Sequence, residues 1–455
     1  MSEKPNIILI NCDDLGYGDL ACYGSKVNKT PALDKLAAEG IKFTDFYMTS
    51  PVCSPSRGSM LTGCYPPRIG FGSFVNGGWV LFPGDALGLH EDEITIAKLL
   101  KQADYQTKIV GKWHCGDQKE FLPIRHGFDS YYGIPYSNDM GRQNADDKQP
   151  PLPLLKDEEV IQEQPDQRGI TERYTEECVS FIRDNKDKPF FLYLAHMYVH
   201  LPIYVPKQFL DKAENGPYGA AVEHIDWVTA VLMDELKRQG IDDNTLIVFT
   251  SDNGSRAQGE GGSNAPLRGR KTQTWEGGQR LPCIMRWPRK IKSGLVNKEI
   301  TSSMDFYKTF AALAGVEIPT DRIIDGKDIR PMLFNEPDAK SQYDAFFYYK
   351  CNDLEAVRSG KWKLHVSRDK VKVEELYNLE SDIGEQTNLF NQEPEIVKDL
   401  MIKIKACQKD IGDEAAGIKG ENIRPIGKVD SPDTLTHYDP EHPYIIALYD
   451  LKERG

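Results

Sequence analysis

The chain has 455 residues, of which 40% are hydrophobic and 27% are charged, and its formal net charge is -13. These proportions are close to globular averages, which excludes disordered and fibrous classes, and the length allows a large enzyme domain with a smaller one beside it. The excess of acidic residues, 69 against 56 basic ones, argues against general nucleic-acid binding. No apolar run approaches the length of a membrane span.

The cysteines and the N-terminus restrict the class of protein further. The nine cysteines are an odd number, are irregularly spaced and include no C-x-x-C pair, which argues against a disulfide scaffold and a zinc ribbon. The chain enters a predicted strand directly after Met1-Ser-Glu-Lys-Pro5, so no export signal is visible. A cytoplasmic protein and an exported protein whose signal has been removed both fit this beginning.

The first two thirds of the chain alternate between predicted strands and helices. Four short apolar runs predict strands buried on both faces, as in a parallel sheet: residues 6–10, 106–110, 189–195 and 245–250. Thr30 and Pro31 predict the N-cap and first position of a helix that ends at Gly40, and helical periodicity predicts further helices over 94–100 and 218–239. This alternation predicts an α/β fold with a large, mostly parallel sheet.

The pattern changes after about residue 335. Short apolar runs at 346–349, 356–358 and 361–365 predict a small antiparallel sheet, and an amphipathic helix follows around 396–404. From about residue 411 the chain is rich in Gly, Pro and Asp and is typical of an extended tail. We predict three parts: a catalytic α/β domain over 1–335, a C-terminal α+β subdomain over 336–410, and an extended tail over 411–455 that packs on the catalytic domain.

Polar side chains follow each of the four predicted buried strands. In chain order they are Asp13 and Asp14, then Lys112 and His114, then His196 and His200, then Asp252 and Asn253. In open α/β sheets the ligand crevice lies at the carboxyl ends of the strands. We therefore expect these side chains to meet at one edge of the sheet.

Four of these side chains offer oxygen donors: Asp13, Asp14, Asp252 and Asn253. Oxygen donors suit Ca²⁺ or Mg²⁺ rather than Zn²⁺ or copper. Three crowded carboxylates also repel one another unless a cation lies among them. Either pair alone is explained as ordinary turn residues, but two such pairs, each ending a buried strand, favour a metal site.

A further candidate site surrounds Cys53. This cysteine is expected on a loop just before a helix, whose N-terminus stabilises an anion, and Arg57 adds positive charge. We expect the pKa of Cys53 to lie well below its free value of roughly 8.5, and an anionic group to bind nearby. The alternative is a buried structural cysteine beside a proline turn.

The segment from Cys53 to Gly63 resembles the sulfatase signature C-x-P-S-R-x-x-x-L-T-G and matches it at every fixed position. Further motifs resemble the same family in the same order: Asp13-Asp14, Gly111-Lys-Trp-His114, His200-Leu-Pro202, Asp252-Asn-Gly254, Lys271 ahead of Trp275-Glu-Gly-Gly278, and Glu375-Leu-Tyr-Asn-Leu379 with Asp382 and Glu385. On these motifs, which span about residues 5–390, the chain is identified as a member of the formylglycine-dependent (type I) sulfatases of the alkaline-phosphatase-like superfamily. The resemblance implies a large, mostly parallel sheet sandwiched by helices, with a smaller C-terminal antiparallel sheet plus a helix.

The resemblance also implies a nucleophile and a metal. Cys53 would be oxidised by a separate maturation enzyme to Cα-formylglycine, whose hydrated aldehyde attacks sulfur and later expels sulfate. Ca²⁺, with Mg²⁺ as the alternative, would stabilise the developing charge. Its implied ligands are Asp13, Asp14, Asp252, Asn253 and the group derived from Cys53.

Other side chains take roles in the same implied site. The resemblance assigns Lys112 and Lys271 to sulfate oxygens, Ser137 to a position near the sulfate, Arg57 to holding the formylglycine and the carboxylates, His200 to protonating the leaving oxygen, and His114 to assisting elimination. His196 competes with His200 for the acid role. Several other groups have both a structural and a functional interpretation: Arg268 and Arg270 near Lys271, Trp275, Arg280, Phe71 and Phe74, Trp79, and the pair Tyr131-Tyr132.

These observations predict hydrolysis of sulfate esters, favouring a sulfated carbohydrate over an aryl sulfate. The rivals are a phosphonate or phosphate ester hydrolase of the same superfamily, a non-catalytic binder of sulfated glycans if Cys53 stays unoxidised, and a hydrolase using the Cys53 thiolate directly. The expected partners are the substrate and, transiently, the maturation enzyme, without nucleic acid or a membrane span. Family members are commonly exported, so we expect a periplasmic or secreted protein with its signal removed, and a cytoplasmic one as the alternative.

Overall fold

The computed structural model describes residues 4–142 and 149–444. Within these ranges the α-helices are α1 Pro31–Ala38, α2 Cys53–Thr62, α3 Ile96–Lys101, α4 Ile170–Asn185, α5 Lys207–Leu210, α6 Gly216–Arg238, α7 Glu276–Gln279, α8 Asp305–Ala314, α9 Arg330–Leu333 and α10 Pro394–Asp410. The longer strands of the first part are β1 Asn6–Cys12, β2 Ile41–Tyr47, β4 Gln106–Gly111, β5 Ser130–Gly133, β6 Pro153–Lys156, β7 Glu159–Glu163, β8 Phe190–Ala195, β9 Thr245–Ser251 and β10 Arg280–Arg286, and the shorter ones are β3 Leu87–Gly88, β11 Leu295–Asn297 and β12 Thr301–Ser302. The later strands are β13 Phe346–Lys350, β14 Asp353–Ser359, β15 Trp362–Arg368, β16 Val371–Asn378, β17 Gly412–Asp413, β18 Ile418–Lys419 and β19 Gly427–Lys428.

A large sheet forms the centre of the molecule, with the strand order β11-β2-β10-β9-β1-β8-β4-β5-β6-β7 and β12 beside β2. The strands β9, β1, β8, β4 and β5 are adjacent and run parallel to one another. The pairs that β10 makes with β2 and β9 are antiparallel, as are those of β6 with β5 and β7. The predicted mostly parallel sheet is therefore confirmed, and all four predicted buried strands lie at its centre.

Side chains of the central strand β1 alternate between two separate cores. Ile7 and Leu9 join the core formed with helices α2, α3 and α8, whereas Ile8 and Ile10 join the core formed with α1, α4 and α6. Successive side chains of a strand point to opposite faces, so an apolar run without alternation requires cover on both. This explains why helices sandwich the sheet.

Helix α1 starts at Pro31 as predicted, but Thr30 does not cap it. The backbone N–H groups of Ala32 and Leu33 donate to the carboxylate of Asp226 in α6, at 3.1 and 2.8 Å. The Thr30 hydroxyl instead accepts a hydrogen bond from the backbone N–H of Ala21. A side chain about 195 residues away in the chain has taken the capping role, which local sequence alone does not reveal.

Sequence analysis did not predict strands β2 and β10. In β2, apolar and polar residues alternate only in part. In β10, Arg280, Pro282 and Arg286 fall within seven residues and hide the hydrophobic pattern that would predict a strand. Both strands are nevertheless buried, because β10 lies between β9 and β2 in the sheet.

The second sheet has the order β13-β14-β15-β16 and is antiparallel throughout. Helix α10 packs on it through Leu400 and Ile404, and Tyr47 and Met304 of the preceding part complete the same core. The small antiparallel sheet with one helix is confirmed. Its fourth strand, β16, was not predicted from the sequence, since much of it is polar and exposed.

The segment after α10 runs back along the first part of the chain. Gly427 and Lys428 pair with Gly88 and Leu87, and the N–H of Val429 donates to the carbonyl of Ala86 at 2.9 Å. The predicted part boundaries at residues 335 and 410 stay predictions, and the end of the predicted tail lies outside the described residues. None of the helices in the described part of the chain is both long and apolar enough to cross a membrane.

Candidate active site

The carboxyl ends of four adjacent parallel strands bring the predicted site residues together. Asp13 and Asp14 follow β1, Lys112 and His114 follow β4, His196 and His200 follow β8, and Asp252 and Asn253 follow β9. Gly111, which ends β4, has a φ of 110°, and a Cβ atom there would lie 1.8 Å from the carbonyl oxygen of Ala195. Glycine therefore permits the close strand approach from which Lys112 emerges.

Cys53 lies at the floor of a cavity at this edge of the sheet. It is the first residue of α2 rather than a loop residue, and its side chain is 2% exposed. The cavity has a volume of about 580 Å³, and its wall also includes Ser137, His200 and Lys271. The Cys53 Sγ and carboxylate oxygens of Asp13 and Asp252 lie within 4.8 Å of one another.

Arg57, one turn further along α2, connects the carboxylates beneath the cavity. Its Nη2 donates to Asp13 Oδ2 at 3.1 Å, its Nε donates to Asp252 Oδ2 at 2.8 Å, and its Nη1 donates to the carbonyl of Lys112. All of these groups are buried. Arg57 thus fixes the relative positions of the loops that follow β1, β4 and β9.

Two buried lysines flank the same carboxylates. Lys112 Nζ forms an ion pair with Asp13 Oδ2 and donates to the Ser137 hydroxyl at 2.6 Å. Lys271 Nζ donates to Asp14 Oδ2 at 2.9 Å. The three carboxylates are therefore matched by three cations of the chain, and repulsion among them does not by itself require a metal, contrary to the argument made from the sequence.

The donor set nevertheless fits a hard cation on another ground. Asp13 Oδ1 and Asn253 Oδ1 are buried oxygens without a hydrogen-bond donor among the described residues. Buried polar atoms are almost always paired, so unpaired oxygens on two of the predicted ligand residues indicate a missing partner. Asn253 Nδ2 donates to Asp14 Oδ1 at 2.7 Å, which fixes the amide with its oxygen as the free atom. Carboxylate and amide oxygens are the ligands that Ca²⁺ takes.

The pKa of the Cys53 thiol is raised to about 12, chiefly because burial removes its hydration, and Lys112 only partly offsets this. The prediction of a lowered pKa is therefore wrong. The carboxylates of Asp13 and Asp252, with which Arg57 pairs, also raise the pKa of the thiol, so the positive charge of Arg57 does not have the effect expected from the sequence. A mechanism that uses the Cys53 thiolate directly would have to overcome this loss of hydration.

The histidines separate clearly by position. His200 lines the cavity, and its Nε2 lies 3.9 Å from Asp14 Oδ2, whereas its Nδ1 lies 2.6 Å from the carbonyl of Leu201. A carbonyl only accepts, so Nδ1 carries a proton and Nε2 is directed to the site. His196 is buried outside the cavity wall, and burial lowers its pKa to about 3. The geometry favours His200 over its competitor.

His114 lies beneath the wall rather than on it. Its Nε2 is 3.0 Å from the carbonyl of Leu81, which makes that nitrogen the donor, and its Nδ1 has no partner among the described residues. Burial, together with the charge of Lys112, holds the pKa of His114 well below its usual range. His114 is a neutral base whose free nitrogen is Nδ1.

Several residues of the cavity wall were not found from the sequence. Asp139 and Met140 lie in the turn after Ser137, and Arg256 and Gln258 follow the Asp252-Asn253-Gly254 motif. The same strand-end argument, continued a few residues further along each loop, would have found them. Among the aromatic candidates only Trp79 lines the cavity, whereas the rest are buried in the cores: Phe71, Phe74, Tyr131 and Tyr132.

The residues around Lys271 have mainly structural contacts. Arg268 stacks on Trp275 at 3.7 Å from the ring centroid and donates to the carbonyl of Glu385. Arg280 pairs with Asp45 and Glu276, away from the cavity. The structural interpretation therefore holds for Arg268, Trp275 and Arg280, and Lys271 alone of this group lines the cavity.

Residues 5–316 match the sulfatase family, and residues 270–410 match the C-terminal part of the N-sulphoglucosamine sulphohydrolase family. The chain belongs to the sulfatase family. It is accordingly a sulfuric ester hydrolase, as the sequence predicted.

Individual relatives agree with this assignment. The sulfatase is 39% identical over 380 residues to N-acetylgalactosamine-6-sulfatase of Mus musculus, covering 80% of this chain and 72% of that protein. It is 36% identical over 441 residues to steryl-sulfatase of the same species, covering 79% and 70%. It also resembles the crystal structure of Ps i-CgsB in complex with k-i-k-neocarrahexaose, with a TM-score of 0.80, 30% identity, and coverage of 92% and 95%.

Proposed function

We propose that this sulfatase hydrolyses sulfate esters of carbohydrates, using Cys53 after its oxidation to formylglycine together with a bound Ca²⁺. The observation that carries the proposal is the position of Cys53 at the cavity floor, between two buried lysines and beside unpaired acid and amide oxygens. The name of N-acetylgalactosamine-6-sulfatase and the neocarrahexaose bound to Ps i-CgsB support a carbohydrate substrate. The relative named steryl-sulfatase makes steroid or aryl sulfates the second candidate class.

The residues of the chain divide the work around the substrate sulfate. The hydrated aldehyde derived from Cys53 would supply the hydroxyl that attacks sulfur, and Asp252 would take the proton of that hydroxyl. Lys112 and Lys271 hold sulfate oxygens with fixed positive charge, and Ser137, which already accepts from Lys112, lies within reach of the same group. His200 would protonate the leaving sugar oxygen from Nε2, and because its Nδ1 proton is held by the carbonyl of Leu201, this requires the doubly protonated imidazolium. Burial and Lys271 lower the pKa of His200, and nearby Asp14 opposes this by favouring the imidazolium.

Two further groups act from beneath the cavity. Arg57 keeps Asp13 and Asp252 in register beside position 53. His114, whose free nitrogen is Nδ1, takes the proton of the second hydroxyl during release of sulfate. Burial, and then the charge of Lys112, lower the pKa of His114 and so favour its neutral form before the reaction.

The metal would be held by oxygen atoms of four side chains and by position 53. Those side chains are Asp13, Asp14, Asp252 and Asn253. When bound, Ca²⁺ would stabilise negative charge on the attacking oxygen and on the sulfate, and Mg²⁺ is the alternative ion. Arg57, Lys112 and Lys271 pair with these carboxylates and hold them in place for it.

The remaining proposals concern partners and location. A maturation enzyme must act on Cys53 before or during folding, because the folded chain buries this side chain. We propose a periplasmic or secreted location, with the cytoplasm as the competing one. All nine cysteines are free and seven of them are buried, an arrangement that either compartment tolerates. Fractionation of the native host decides between them.

The test combines mass and turnover. The Cys53 peptide of protein from the native host should be lighter than its cysteine form by about 18 Da. That protein should hydrolyse sulfated galactose faster than the matched phosphate monoester and diester. Cys53→Ala should abolish turnover, whereas the matched variant Cys22→Ala, at a half-buried cysteine away from the cavity, should keep it. An unmodified Cys53 in that protein would favour a non-catalytic binder, and faster phosphate turnover would favour a phosphate ester hydrolase.

A further inference from the structure

An exposed apolar segment borders the cavity above Cys53. Val75, Trp79 and Phe82 are 41%, 49% and 52% exposed, and all three line the same cavity. Large apolar side chains that are exposed together next to a pocket mark a surface that contacts a ligand. The proposed roles of the catalytic residues do not account for these side chains.

The segment is held firmly at both ends. Phe74 is buried, its ring packs edge-on against Phe71 at 4.9 Å, and its N–H donates to the carbonyl of Gly78. Leu81 is buried, its N–H donates to the Ser54 hydroxyl, and its carbonyl accepts from His114 Nε2. The residues between these anchors border the cavity, and the segment is tied directly to α2 and to a site histidine.

Trp79 borders two cavities. Behind it lies a smaller cavity of about 220 Å³, where Lys350 places Nζ 5.0 Å from the ring centroid. The Lys350 cation thus covers the ring from the smaller cavity, and Trp79 also borders the larger cavity that contains Cys53. An exposed aromatic face beside a polar site is the surface on which the C–H face of a pyranose ring packs.

Polar groups on the cavity wall distinguish a sugar from an aryl group or a steroid. Asn76, Asp139 and Gln258 belong to three separate segments and line the same cavity as Trp79. A pyranose presents an apolar face together with hydroxyl groups at its edge, and so matches both kinds of surface. The exposed side chains of Asn76 and Gln258 can exchange hydrogen bonds with such hydroxyl groups, whereas an aryl or steroid group offers few groups to bond with them.

We propose that Trp79 is the stacking platform for the sugar that carries the sulfate, and so determines affinity for the leaving group. This inference rests on the proposed function and names the residue that recognises the non-sulfate part of the substrate. Trp79 touches neither the metal ligands nor the sulfate in this scheme. Its effect should therefore fall on sugar binding and leave sulfate binding unchanged.

The test measures binding by calorimetry in the presence of Ca²⁺, so it does not require turnover. The probes are galactose carrying sulfate at position 2, 4 or 6, phenyl sulfate, and inorganic sulfate. For the best-bound sugar, Trp79→Ala should weaken binding about ten- to fiftyfold, while Trp79→Phe should restore most of it because a ring face remains. Affinity for inorganic sulfate should change less than twofold in both variants.

A matched variant controls for loss of an exposed tryptophan. Trp227 is 40% exposed in α6 and lines a different groove, between α1 and α6, so Trp227→Ala should change none of the affinities. The inference is overturned if Trp79→Ala binds the sugar as wild type does, or if the wild type binds every sugar no better than inorganic sulfate. Tighter binding of phenyl sulfate than of all three sugars would also overturn it, in favour of an aryl group on the same platform. Absence of hydrolysis would count against the proposed function only, since binding is read independently.

Discussion

Two buried ionic clusters of the same charge balance lie in different surroundings. The site cluster consists of Asp13, Asp14, Asp252, Arg57, Lys112 and Lys271. The junction cluster lies between the two sheets and consists of Asp45, Glu276, Glu385, Arg280, Arg358 and Lys363. Each has three carboxylates and three cations, so formal charge alone does not tell a ligand site from a structural one.

The pairing of individual oxygen atoms separates the two clusters. In the junction cluster, Glu276 Oε1 accepts from Tyr348 and Lys363, and its Oε2 accepts from Tyr47 and Arg280. Among the described residues, neither Asp13 Oδ1 of the site cluster nor Asn253 Oδ1 has a hydrogen-bond donor, and Asp13 lies next to Cys53 of the cavity wall. A cluster that completes its own hydrogen bonds joins two parts of a fold, whereas one that leaves oxygens unpaired beside a cavity is built for a ligand.

The largest expected effect is on stability, in the junction cluster. Lys363→Met leaves Glu276 and Glu385 short of a buried cation, which should cost about 3–5 kcal/mol of unfolding free energy. Urea denaturation measures this, and turnover per folded molecule should fall less than tenfold. A loss of stability below about 1 kcal/mol would remove the distinction between the clusters.

Lys112→Met in the site cluster should lower turnover more than it lowers stability. It removes a fixed charge from the sulfate, so turnover should fall about 10²–10³-fold. The free energy of unfolding in Ca²⁺ should fall less than in Lys363→Met, because Asp13 keeps Arg57 as a partner. The two variants serve as controls for each other. If one of them lost more of both turnover and stability than the other, the distinction between the clusters would be contradicted.

Removal of Ca²⁺ should affect only the site cluster. Chelation should abolish turnover, and returning Ca²⁺ at about 100 times its dissociation constant should add about 2.7 kcal/mol of stability. The stabilisation should be absent in Asn253→Ala and unchanged in Tyr348→Phe, which alters the junction cluster instead. Thermal unfolding that does not respond to Ca²⁺ in the wild type would argue against the proposed metal.

The smallest expected effect is the loss of stability at low pH that Glu276 contributes. Burial opposes ionisation of Glu276, but Lys363, Arg280 and other cations nearby hold its pKa well below the ordinary value of 4.5. A carboxyl with a lowered pKa adds stability above its unfolded pKa and loses it as the pH falls towards the folded one. The stability difference between wild type and Glu276→Gln should therefore be constant near neutral pH and shrink below pH 4.5, by up to about 1.4 kcal/mol per pH unit. Urea titrations at pH 4.5, 4.0 and 3.5 measure this, and a constant difference would contradict the assigned pKa direction.

Sequence reasoning succeeded where a signal is local and strong. The apolar run of β1 is short and continuous, and its position in the sheet places Asp13 beside Asp252. It failed where the deciding partner is distant in the chain. Asp226 caps α1 in place of Thr30. β10 lies between β2 and β9 in the sheet, although the mixed composition of this segment does not predict a strand.

The amino-acid sequence determined the α/β class, the sulfatase signature at Cys53 and the convergence of four strand ends, because adjacent parallel strands end at one edge whatever loops join them. The tertiary structure decided three further points. It raised the pKa of the Cys53 thiol, paired the site carboxylates with cations of the chain, and placed Trp79 on the cavity wall while the other aromatic candidates are buried in the cores. These depend on burial and on partners far apart in the chain, such as Arg57 and Asp252, separated by 195 residues. The hydration that a side chain loses on folding depends on the whole packed molecule, so it cannot be predicted from a local segment of sequence.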